Sequence, residues 1–129
     1  VPPVLLDTHI ALAFFGRSFR QHFPRIHELL DAREVEGFVS TATLWEIAIK
    51  TRLGKLDIGM PLSDLPGAIA SVGLKILGIE VPHVLHILDP EPPTRDPFDR
   101  LLLAQCHVEG LKLITVDRAL VDHPLAFRP

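Results

Sequence analysis

The chain has 129 residues, a formal net charge of −3 and a pI near 6.1, and 47% of its residues are hydrophobic. That length and apolar share suit a single domain over 1–129 with its own core. The acidic balance argues against a protein that wraps DNA through bulk positive charge, and no run of about 18 apolar residues is available to cross a membrane.

In chain order, Val4-Leu5-Leu6 reads as a short buried strand. The polar triplet Asp7-Thr8-His9 turns into a helix over Ile10 to Phe15, stopped by Gly16. Residues 1–3 carry neither a Met nor a signal-peptide pattern and are read as an expression remnant. Pro24 suits the first turn of a second helix, in which Ile26, Leu29, Leu30, Arg33 and Val35 keep a helical period to Glu36, with Gly37 as its stop. Phe38-Val39-Ser40 is a second buried strand. Ser40 or Thr41 caps the next helix, which is expected to turn Leu44, Trp45, Ile47 and Ala48 to the core and to fray near Leu53-Gly54. Leu62 to Val72 looks helical despite Pro66, with Gly73 as its stop, and Lys75 to Ile79 is a third strand. The apolar residues of Ile58 to Leu74 suit either a core or an interface.

Val81 to Leu88 suggests a short helix, and Asp89-Pro90-Glu91-Pro92-Pro93 a stiff loop, because proline fixes the backbone. Asp96-Pro97-Phe98-Asp99 reads as a helix entrance: Asp96 is the N-cap, Pro97 the first helical residue, Asp99 the third. This helix runs to Glu109 and ends at Gly110. Its Cys106, the one cysteine of the chain, excludes an internal disulfide and reads as a core thiol, in keeping with a cytoplasmic setting. Lys112 to Val116 is a fourth strand, Asp117 to Leu120 a turn or short helix, and Leu125 to Phe127 a last edge strand. Strands alternating with helices predict a mostly parallel sheet of four to five strands covered on both faces, whose function lies beyond the carboxyl ends of the strands.

Four acids fall where that architecture gathers strand ends and helix starts: Asp7, Glu46, Asp99 and Asp117. Taken singly, Asp7 suits a cap, Asp99 a helix dipole, Asp117 a turn and Glu46 a polar helix face. Taken together they suit a divalent cation. Magnesium and manganese prefer oxygen ligands, and two or three carboxylates hold one or two ions while a further one orients or deprotonates water. Thr115 is placed to bond a ligand carboxylate or a phosphate, or serves only as a strand residue. Lys50, Arg52 and Lys55, together with Arg95, Arg100 and Arg118, are candidate phosphate contacts, although Lys50 one turn after Glu46 equally suits a surface ion pair. The scattered histidines form no HExxH or Cys/His cluster, which argues against zinc.

Leu5-Leu6-Asp7-Thr8-His9, Thr43-Leu44-Trp45-Glu46-Ile47-Ala48-Ile49-Lys50, Asp96-Pro97-Phe98-Asp99-Arg100-Leu101-Leu102-Leu103-Ala104-Gln105 and Leu113-Ile114-Thr115-Val116-Asp117, in that order, resemble the PIN-domain ribonucleases, and within them the VapC toxins of toxin–antitoxin pairs. Gly54-Lys55-Leu56 adds to the likeness. The resemblance implies a three-layer α/β/α domain. It implies that Asp7, Glu46, Asp99 and Asp117 are the catalytic acids, with Asp7, Asp99 and Asp117 on Mg2+ (or Mn2+) and Asp96 as cap or outer-shell partner. It also implies RNA as substrate and a VapB-like antitoxin that covers the pocket. A homodimer is expected as well. The rival readings are a DNA-directed nuclease on the same fold and a non-catalytic module that binds RNA or protein.

Overall fold

Strand β1 (Val4–Leu6) is buried on both faces, as an unbroken Val-Leu-Leu run requires, and lies inside the sheet. In the computed structural model, which describes residues 2–15, 24–31 and 34–128, β1 pairs in parallel with β2 (Gly37–Ser40) on one side and β4 (Lys112–Ile114) on the other. Strand β3 (Lys75–Leu77) adds to β2, also in parallel, so the order is β3-β2-β1-β4. Leu5 aligns with Phe38 and with Leu113.

The helices are α1 (Thr8–Phe15), α2 (Pro24–Asp31), α3 (Thr41–Arg52), α4 (Leu65–Ser71, entered by a 3-10 turn at Leu62–Asp64), α5 (Val81–Leu85) and α6 (Pro97–Glu109). The pleat sends alternate residues of β1 into opposite cores. Val4 and Leu6 join Ile10, Val39, Ile47, Leu65 and Ile69 on one face. Leu5 joins Leu102, Leu103, Cys106, Leu113 and Leu120 on the other. Three layers result, α/β/α, as expected. Burial pushes the Cys106 thiol pKa up to about 12, which suits a core thiol.

Several local expectations are corrected. Helix α1 begins at Thr8, because the Asp7 carbonyl accepts the first helical bond from Ala11 at 2.8 Å. Its expected stop, Gly16, lies outside the described residues, as does Arg33. Helix α2 ends at Asp31 rather than Glu36, and Val35 is buried in the connection that follows. Gly37 is the first residue of β2, not a helix stop. A Cβ there would lie 2.6 Å from Leu74 Cδ2 and 3.0 Å from Leu30 Cδ2, so close packing asks for glycine.

Trp45 is 60% exposed instead of core. Helix α3 packs through Ala42, Thr43 and Ile47, which turns position 45 away, and the indole meets Phe98 edge-on with ring centroids 5.7 Å apart. Strand β4 stops at Ile114, before Val116, and β3 at Leu77, before Ile79. Residues 125–127 form no full strand, but Leu113 bonds Leu125 and Phe127 at 2.8 Å each around a single bridge to Ala126. The apolar residues of 58–74 go mainly to the core: Leu65, Ile69 and Leu74 are buried and Ile58, Met60 and Leu62 pack on them.

Candidate active site

The chain leaves β1 toward β2 on one side, while β4 returns to β1 on the other. The carboxyl ends of β1 and β4 therefore flank the crevice where strand order reverses, the usual ligand position in open parallel sheets. Asp7 follows β1 directly and Thr115 follows β4. The Thr115 hydroxyl donates to Asp7 Oδ2 at 2.6 Å across this crevice, and its oxygen accepts the Asp117 N–H at 3.1 Å. Asp7 is only 6% exposed. Burial raises its pKa, the Thr115 and Thr8 hydrogen bonds pull it back, and the charges of Asp117 and Glu46 raise it again.

Glu46 reaches the same edge from α3, which starts directly at the end of β2 with Ser40 as its cap. Its Oε1 accepts the Thr8 hydroxyl at 2.7 Å, and Thr8 lies 3.1 Å from the Thr43 hydroxyl. Its Oε2 accepts Lys50 Nζ at 2.8 Å, so the expected helical ion pair is present. That bond raises the Lys50 pKa, with Asp96 and Asp99 adding to it.

Asp99 stands in the first turn of α6. Asp96 caps that helix by accepting the Phe98 N–H at 2.9 Å, and Pro97 is its first residue. The Thr94 hydroxyl donates to Asp99 Oδ2 at 3.4 Å. Burial pushes the Asp99 pKa up to about 7, aided by the negative charges of Asp96, Asp7 and Asp117. The acids from four separate segments thus share one electrostatic field. They are near enough to repel and are not closed on a common point: among the described residues no three His, Cys, Asp or Glu side chains form a group ready to hold a metal ion. The donor set is nonetheless all oxygen, which suits a hard divalent cation, and the repulsion at Asp99 is what such a cation relieves.

The expected basic residues divide. Lys50 pairs with Glu46. Arg100 is held by Glu91 at 2.9 Å and by the Thr94 carbonyl at 3.4 Å. Arg52, Arg95 and Arg118 are exposed and make no ion pair among the described residues. Of the histidines, His83 and His123 are buried in structural bonds, to Glu80 and Glu109 and to Pro90 and Leu125, and His9 is exposed. Sequence reasoning missed Thr8 and Thr94, whose hydroxyls hold Glu46 and Asp99, and Thr43, whose hydroxyl bonds that of Thr8. The only signal was the position of Thr8 next to Asp7 and of Thr94 two residues before Asp96.

Comparison with curated proteins gave no match. Among solved structures, the fold is similar to a chain of the crystal structure of VapBC2 from Rickettsia felis bound to a DNA fragment from their promoter. The TM-score is 0.66 and the identity 14%, over 96% of this chain and 95% of that one. The family model of the PIN domain matches residues 4–124, a span that holds all four strands and all four acids, and the chain belongs to the PIN domain family.

Proposed function

We propose that this PIN domain is a magnesium- or manganese-dependent endoribonuclease, the toxin of a VapBC-type pair. The observation that carries the reading is the convergence of Asp7, Glu46, Asp99 and Asp117 on one sheet edge, with Asp99 raised to about 7 by burial and by its acidic neighbours. PIN domains are generally nucleases, and the solved structure similar in fold is that of a VapBC2 assembly.

On this reading Asp7, Asp99 and Asp117 hold the ion. When bound, the ion supplies Lewis acidity at a phosphate oxygen. Thr115 fixes the orientation of Asp7, and Asp96 supports the entrance of α6 as an outer partner. Glu46, steadied by Thr8 and Lys50, orients the attacking water and takes its proton. Water adds to phosphorus, the bond to the 3′ oxygen breaks, that oxygen gains a proton, and the products carry a 5′-phosphate and a 3′-hydroxyl. Lys50, Arg52, Arg95, Arg100 and Arg118 are the phosphate contacts. A VapB-like antitoxin and a second copy of the chain are the protein partners. The support for these is the apolar surface of Val81, Val84, Leu85 and Ile87, all exposed around α5.

Cleavage of single-stranded RNA and DNA with and without Mg2+, by the parent and by Asp7→Asn and Asp99→Asn, tests the reading. The parent is expected to cut RNA only with metal, and each variant to lose at least about 100-fold in rate. Variants that cut as fast as the parent end this mechanism, and a preference for DNA ends the ribonuclease assignment.

A further inference from the structure

The loop before α6 forms a second concave feature. Glu91, Pro92, Pro93, Thr94, Arg95 and Arg100 line an open cleft of about 510 Å³. Two consecutive prolines stiffen its wall. Arg100 spans it, one guanidinium nitrogen against Glu91 Oε1 and another on the Thr94 carbonyl. Arg95 is exposed and has no ion-pair partner among the described residues. Thr94 joins this cleft to the acids: its hydroxyl donates to Asp99 while its carbonyl holds Arg100. Two arginines therefore line a cleft that one threonine links to an acidic crevice, in a protein of net charge −3.

We infer that this cleft is a second anion site for the substrate. It takes the phosphodiester of single-stranded RNA adjacent to the one that is cut, with Arg95 and Arg100 as donors and Glu91 as a resident competitor for Arg100. The inference rests on the ribonuclease reading above. An acidic crevice repels a polyanion, so a strand entering it needs fixed cations close by and outside the acidic field. Guanidinium groups meet phosphate through paired, parallel hydrogen bonds. The Glu91–Arg100 pair is exposed at the Glu91 end, with 70% of that side chain accessible, and exposed ion pairs hold weakly, so a phosphate displaces Glu91 readily. The lining has no aromatic ring on which a base stacks. The cleft thus positions the backbone and reads no sequence.

The test is anisotropy of a fluorescein-labelled single-stranded hexaribonucleotide, without divalent ions, on Asp7→Asn protein and on the same protein carrying Arg95→Ala, Arg100→Ala or Glu91→Gln. Each arginine variant is expected to weaken binding about 3- to 10-fold and to reduce the salt slope by about 0.7. Glu91→Gln is expected to tighten it about two- to fivefold. Arg95 makes no internal ion pair, so a loss at that position is not a folding effect, and melting curves check Arg100→Ala. Binding unchanged in both arginine variants, with a parent that still cuts RNA, overturns the cleft, removes Arg95 and Arg100 as phosphate contacts, and leaves the acid-centred nuclease reading intact. Arginine-dependent binding with a parent that cuts no RNA supports an anion site and removes the nuclease reading.

Discussion

At the scale of single residues, Asp99 carries the clearest consequence. Its folded pKa of about 7 lies above the ordinary 3.8, so the folded state binds that proton more tightly than the unfolded chain does. Stability from this group therefore falls as pH rises toward and through 7 and is recovered as pH drops toward 3.8. Asp7 acts in the same direction. The metal-free protein is expected to melt higher at pH 6 than at pH 8, and Asp99→Asn to flatten that slope. Added Mg2+ at pH 8 is expected to restore the lost stability, since a cation replaces the proton. Overlapping pH profiles of parent and variant in calorimetry would contradict the raised pKa. Thr115→Val keeps the shape and removes the bond to Asp7. It is expected to cost about 1–3 kcal/mol in urea unfolding and to lower RNA cleavage. Thr115 was legible as a partner because it stands two residues from Asp117. The Thr8–Glu46 bond joins positions 38 apart, a pairing that only the sheet order creates.

Among the elements, α6 shows one residue serving two opposed ends. Asp96 caps the helix, and its charge is also the foremost of the acidic charges raising Asp99. Asp96→Asn keeps an oxygen for the Phe98 N–H and removes the charge. It is expected to hold stability near that of the parent and to move the Asp99 pKa down, read by carbon NMR titration of the carboxyl. Asp96→Ala also loses the cap, at a cost of about 1 kcal/mol. The limits of α6 were readable from Asp96, Pro97 and Gly110, whose φ of 71° suits glycine at a helix end. The start of β2 was not, because a glycine after a helical run suits a stop as well as a close approach. Gly37→Ala distinguishes them: with Leu74 and Leu30 both in the way, about 1–3 kcal/mol of stability is expected to be lost. Trp45 misled for a related reason. Its size suggests the core, while the packing face of α3, set by Ala42, Thr43 and Ile47, decides otherwise.

For the molecule as a whole, parallel strands and two covered faces were legible, because Val4-Leu5-Leu6 and Leu113-Ile114 are apolar on both sides of the pleat. The strand order was not, since strands of three or four residues and similar composition do not encode their neighbours. Yet that order decides which acids meet. The exposed apolar side chains around α5 belong to this scale too. A dimer is expected by light scattering at tens of micromolar, and Leu85→Glu is expected to shift it toward monomer, with Leu85 at 73% exposure too open for the change to unfold the domain.

The bond from Thr115 to Asp7 bridges 108 positions of chain. Contacts so far apart are slow to form, because closing so long a loop costs chain entropy before the contact repays it. A ribosome delivers Asp7 and Glu46 early, but the crevice has only one wall until β4 is made and slides in beside β1. On the ribonuclease reading, the crevice is complete only once β4 has docked beside β1, so the acidic site is among the last features of the fold to assemble.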